Sequence, residues 1–178
     1  MKKVLKTIIV ALLLLGCSSK LAPNNQALID KKSLFNLSSL SIETSHNHIS
    51  KQPKLGLLLS DEAQKRATDS IYFTKFKKGI LKLRISSIEI DESKERTGSF
   101  LYFFSSYKKE LHAKISYTMS VYSDRNEELK KISSNIHVKI EGDDSKAEKE
   151  LIEKALDEFQ LSIYKASKTE LNEFLATR

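Results

Sequence analysis

The chain has 178 residues, 40% hydrophobic and 30% charged, a balance that describes a folded body rather than a disordered segment. Its formal charge of +7 is spread along the chain, which reads as a solvated surface rather than a concentrated basic face. With one cysteine there is no internal disulfide and no thiolate metal site, so the fold must be held by packing.

Lys2, Lys3 and Lys6 make a positive start, and Thr7 to Leu15 is an almost uninterrupted apolar run. That run is too short to span a bilayer as a mature helix but has the length of a signal-peptide core. It ends in Leu14-Leu15-Gly16-Cys17, with an apolar residue three before the cysteine and a small residue just before it. The pattern resembles the lipobox of bacterial lipoproteins. The resemblance implies a diacylglyceryl group on the Cys17 thiol, cleavage after Gly16, and acylation of the new amine, palmitate being the usual chain. Several acyl chains on one residue give a durable anchor, because each buried CH₂ contributes about 0.8 kcal/mol. Removing residues 1–16 leaves 162 residues and takes away three of the seven net positive charges. Export also argues against nucleic acid as a partner. Ser18 stands where an aspartate would retain enterobacterial lipoproteins at the inner membrane, so the resemblance favours the outer membrane.

Residues 17–33 read as the lipidated cysteine and a polar tether, including Pro23-Asn24-Asn25-Gln26, and residues 34–178 as one domain. Leu34 to Ile42 is β-compatible without clean alternation, and Glu43 to Pro53 reads as a polar loop. Within it His46-Asn47-His48 is short of the three or four ligands that a zinc site needs. Lys54 to Leu59 is an apolar run that suits a buried strand, with Ser60 as the N-cap of a helix from Asp61 to about Asp69. Residues 70–78 are open between the two states: Gly79 suits a helix C′ position, whereas Ile71-Tyr72-Phe73-Thr74 favours a strand.

Leu81, Leu83 and Ile85 alternate and then shift phase to Ile88 and Ile90, which predicts a β-bulge at Ser86-Ser87, with Thr97-Gly98 closing the loop that follows. Leu111 to Tyr122 is the cleanest period-2 stretch in the chain, and Ile132, Ile136, Val138 and Ile140 form a return strand after the polar turn at residues 123–128. His112 and His137 fall on the wet face of that hairpin. Ser145-Lys146-Ala147-Glu148 reads as a capping box opening a helix. Ala147, Leu151, Ala155, Phe159 and Ile163 form a stripe, flanked by Ile152 and Leu156, that would cover the hairpin. Ser167-Lys168-Thr169-Glu170 reads as a second box, where the helix breaks and restarts.

No phosphate loop, nucleophile elbow, HExxH or Cys/His cluster is present, so no catalytic residue, metal or cofactor is assigned and the domain is expected to be non-catalytic. The aromatic run Phe100-Leu101-Tyr102-Phe103-Phe104 is the one candidate binding surface. As a strand it would set Phe100, Tyr102 and Phe104 on one face, either buried or offered to a partner.

The expected fold is α+β: an antiparallel sheet of about four or five strands with a C-terminal amphipathic helix, and an earlier helix, on one face. This order resembles small α+β envelope lipoproteins such as the lipopolysaccharide-assembly lipoprotein and the auxiliary lipoproteins of ABC-type transporters. The resemblance implies an accessory factor for envelope assembly or transport that faces the periplasm and binds a protein partner. A surface-displayed lipoprotein contacting host or environment is the alternative, and an enzyme or small-lipid carrier is a third reading that requires an enclosed pocket.

Overall fold

A computed structural model describes residues 32–44, 52–75, 78–97 and 106–176. Its elements run β1 (Ser33–Phe35), β2 (Ser39–Thr44), α1 (Pro53–Ser70), β3 (Ile71–Phe73), β4 (Ile80–Thr97), β5 (Ser106–Tyr122), β6 (Glu128–Glu141) and α2 (Ser145–Thr169). A 3₁₀ turn at Asn172–Phe174 follows. The architecture is α+β, as expected. β2, β4, β5 and β6 form one sheet in that order, and β1 pairs with β3 in a separate ribbon. The expected all-antiparallel sheet needs one correction: β2 lies parallel to β4. The intervening chain carries α1, which supplies the long crossover that a parallel pair demands.

The two long hairpins make the centre. Leu81, Leu83 and Ile85 of β4 are buried, the register slips between Ile85 and Ser87, and Ile88 and Ile90 resume the same buried face. The bulge is where the phase shift predicted it, and the Ser86 hydroxyl donates to the Ser116 carbonyl across it at 3.0 Å. On β5, Leu111, Ala113, Ile115, Tyr117, Met119 and Val121 are all buried, matched by Ile136, Val138 and Ile140 on β6. At the β5–β6 turn the Ser123 hydroxyl accepts from the backbone N–H groups of Arg125 and Glu127. Asn126 takes the left-handed conformation there (φ 62°), which asparagine tolerates.

Both helices cover this apolar face, α1 against β4 and α2 against β5 and β6. Every residue of the predicted α2 stripe is buried, and Phe159 meets Tyr117 edge-on with ring centroids 5.2 Å apart. The Tyr117 hydroxyl donates to Ser162 at 2.7 Å, and Ser162 in turn lies 3.1 Å from Ser134. A buried phenol thus has a partner from the helix that covers it. Burial raises the Tyr117 pKa, against the effect of these hydrogen bonds. Arg66 of α1 reaches Gln160 and Asp157 of α2, tying the helices together.

Several expectations are corrected. Lys54–Leu59 is not a strand but the first turns of α1, and Pro53 is not loop but the opening residue of that helix, where its missing N–H costs nothing. The helix buries Gly56, Leu59, Ser60, Ala63 and Ala67 and leaves Leu57 and Leu58 about half exposed, so Ser60 is an interior position and no cap. Glu43 and Thr44 likewise belong to β2. The open choice at residues 70–78 resolves in part as strand, since α1 stops at Ser70 and Ile71–Phe73 forms β3. Gly79 caps no helix. Its φ is +149°, its carbonyl accepts from Ser38, and a Cβ there would lie 2.9 Å from the Tyr122 oxygen. β4 continues through the expected loop to Thr97. The N-cap of α2 is Asp144, one residue before the predicted box, with its carboxylate accepting from Ala147 N–H at 2.8 Å. The second box is no break, because Ser167 is buried inside α2 and its hydroxyl donates to the Tyr164 carbonyl. Leu171 is buried beyond the helix end, and Phe174 and Leu175 pack partly against the core.

Candidate functional site

The face of the sheet away from the helices is mostly polar, and its side chains fall into rows fixed by strand register. Glu89, Lys114 and His137 oppose one another across β4, β5 and β6. Asp91, His112 and Lys139 form the next row, and Ser93, Glu110 and Glu141 the one after. His112 is the centre of this three-by-three grid, which holds four carboxylates against two lysines in an otherwise basic chain.

The contacts inside the grid are specific. Ser93 Oγ lies 2.8 Å from His112 Nε2, and His112 Nδ1 lies 3.2 Å from His137 Nε2 with the rings stacked. Glu110 is buried, at 7% exposure, although it carries a carboxylate on a wet face. Lys139 at 3.4 Å and His112 Nε2 at 3.5 Å are its partners, which satisfies the rule that a buried charge needs compensation. Lys114 pairs with Glu89, and Lys108 with Glu141. At the opposite end of the same face the balance reverses, with Lys82, Arg84 and Lys131 around a depression of about 190 Å³ that also holds Glu43 and Glu128. There Lys82 sits over the Tyr122 ring, and the hydrogen bond from the Tyr122 hydroxyl to Glu128 raises its pKa.

A second feature lies at the margin of the sheet. β6 is an edge strand of 14 residues, and among the described residues no backbone hydrogen bond joins its outer side to another element. Between that edge and α2 runs a groove of about 450 Å³. β6 lines it with Ile136, His137, Val138 and Lys139, and α2 with Lys154, Leu161 and Lys165, Glu158 being the opposing charge. Lys154, Glu158, Leu161 and Lys165 recur at the spacing of one helix face, so a single side of α2 supplies one wall. An open strand beside a channel with three lysines can take up an extended chain by backbone pairing and hold its carboxylates.

Cys17, Phe100, Tyr102 and Phe104, the residues that the sequence singled out, lie outside the described residues, as do His46 and His48. What the structure does place is their approach: β4 and β5 remain paired to Thr97↔Ser106, beyond the last β6 partner at Glu110↔Glu141. The Phe100 to Phe104 run falls in the sequence between these two strands. His112 and His137, which the alternation put on one face, are brought into contact. Glu110, Ser93 and the groove lysines were not anticipated. The same alternation contains Glu110, but Ser93 becomes visible only once β4 is known to continue past Ile90, and the groove needs the helix position.

No family model matches the chain, and no curated protein matches it in sequence. Solved structures are similar in fold. A neuraminyllactose-binding hemagglutinin homolog from Helicobacter pylori superposes with a TM-score of 0.54 at 11% identity, covering 80% of this chain and 88% of its own. A minor lipoprotein from Acinetobacter baumannii is similar at TM-score 0.38 and 13% identity, over 79% of this chain and 97% of its own. A DUF330 protein from Xanthomonas campestris is similar at TM-score 0.45 and 12% identity, over 85% and 91%. The likeness to the Helicobacter pylori chain shows a shared fold, and a protein described as a minor lipoprotein is among the other structures this chain resembles.

Proposed function

We propose that this chain is a lipid-anchored lipoprotein whose domain works without catalysis, by holding a protein partner along the open edge of β6. The observation that carries the reading is that edge itself: 14 residues of strand whose outer side pairs with no other strand among the described residues, beside a groove lined by three lysines. A second copy is a poorer occupant. Pairing two whole β6 strands antiparallel would set Lys130 against Lys139 and Glu128 against Glu141, and like charges directly opposite destabilise a sheet. The Leu14 to Cys17 lipobox supports the anchor, and Ser18 supports the outer membrane with the domain in the periplasm, as an accessory to envelope assembly or transport. Phe100, Tyr102 and Phe104, which fall in the sequence between β4 and β5, are the proposed second contact with the partner.

A photo-crosslinking residue at Asn135, which is exposed in the groove, tests this in native membranes, with the same residue at exposed Lys65 of α1 as control. A discrete protein adduct from Asn135 alone is the expected result. Its weakening when Phe100, Tyr102 and Phe104 are changed together to Ser would add these residues to the contact. Equal labelling from both positions would remove β6 as the docking edge. The anchor has its own test, since Cys17→Ser should abolish incorporation of radiolabelled lipid, and label retained by the variant would refute the assignment.

Display at the cell surface is the second reading, favoured by the name of the Helicobacter pylori neighbour, a hemagglutinin homolog. Protease added to intact cells separates the two: digestion without permeabilisation supports display, and protection supports the periplasm.

A further inference from the structure

We propose that His112 and His137 form an exchangeable site for a divalent cation of the zinc, nickel or copper type, bound through His112 Nδ1 and His137 Nε2 with water completing the shell. The contacts around His112 fix the chemistry. Its Nε2 faces the Glu110 carboxylate, which when ionised only accepts, and the Ser93 hydroxyl. With the ring proton on Nε2, facing these two oxygens, the Nδ1 lone pair is directed to His137. This is the arrangement by which a carboxylate behind a histidine orients a metal ligand. The two nitrogens are 3.2 Å apart, and two nitrogens each about 2.0–2.1 Å from a tetrahedral ion stand about 3.3 Å apart.

Without metal, a proton on His137 Nε2 bridges the same gap; to bind the ion, neutral His137 carries its one proton on Nδ1 instead. The surroundings favour a cation. Lys139, Lys114 and Lys108 are paired with Glu110, Glu89 and Glu141, and with Asp91 opposite His112 the grid holds four carboxylates against its own two lysines. Imidazole nitrogen selects zinc, nickel and copper over the hard magnesium and calcium ions. Among the described residues no group of three or more His, Cys, Asp and Glu side chains is placed to hold an ion. The protein thus supplies two ligands, which suits an ion that comes and goes rather than one that holds the fold.

Titration calorimetry with Zn²⁺ tests the site on the full-length protein in detergent, purified without a histidine tag and carrying His46→Gln and His48→Gln. One ion per chain is expected. His112→Gln and His137→Gln should each weaken binding more than tenfold, and Ser93→Ala about tenfold through loss of ring orientation, with unchanged thermal melts for His137→Gln and Ser93→Ala. Mg²⁺ should not compete, because imidazole nitrogen is a poor ligand for hard cations. Zinc binding that survives either histidine change, equal binding of Mg²⁺, or no binding at all would overturn the proposal.

Discussion

Replacing Ile115 by lysine is expected to unfold the domain. Ile115 is wholly buried at the centre of β5, opposite Ile88 on one side and Ile136 on the other, beneath the helical layer. An ammonium group there has no carboxylate on its own face of the sheet within that row, and an unpaired buried charge costs several kcal/mol. Whole domains are stable by only about 5–15 kcal/mol, so the loss takes most of what is available. Ser116→Lys, one residue along and on the wet face, should shift stability by no more than about 0.5 kcal/mol. The chain has no tryptophan, so urea midpoints are best followed by far-ultraviolet circular dichroism. Equal shifts for the two variants would mean that the faces of β5 are wrongly assigned.

Phe159→Ala is the second large effect, at about 3–5 kcal/mol. The ring is fully buried, lies at the middle of the α2 stripe, and is the edge-on partner of Tyr117. Its removal opens a cavity between α2 and the sheet and also forfeits the aromatic pair, which contributes about 0.5–1.5 kcal/mol beyond area burial. Because the two rings touch, the effects of Phe159→Ala and Tyr117→Ala should fall short of additive in a double-mutant cycle. A loss below about 1 kcal/mol for Phe159→Ala would show that α2 does not seat on this face.

The parts of the fold legible in the sequence were those where periodicity was strict. β5 alternates over its buried residues without interruption, and the α2 stripe repeats every four residues, so both could be read with their buried faces. The bulge was legible because a phase shift has one simple geometric cause. The α1 start was not, because Leu57-Leu58-Leu59 is apolar at three consecutive positions, and only tertiary packing decides that Leu59 turns inward while its neighbours face water. The parallel partnership of β2 was equally hidden, since a six-residue strand carries nothing in its composition that reveals direction. For the candidate site, one strand alone showed that His112 was wet. Contact with His137 follows from the β5–β6 register, and the groove follows from where α2 crosses the edge. Neither is a property of any single segment.

The ribbon that closes the domain has a mechanical meaning. β1 runs parallel to β3, its Phe35 bridges antiparallel to Leu175, and Ser33 reaches Ser167 of α2. Asn36 N–H donates to the Phe174 carbonyl and Ala176 N–H to the Leu34 carbonyl, so the two ends of the folded chain are laced to each other. With the anchor proposed at Cys17, β1 is the described strand nearest in sequence to the bilayer. Force directed along that strand loads the flanking hydrogen bonds side by side, in shear, instead of peeling them one at a time. The central sheet and the face it presents would stay in register until that lacing gives way.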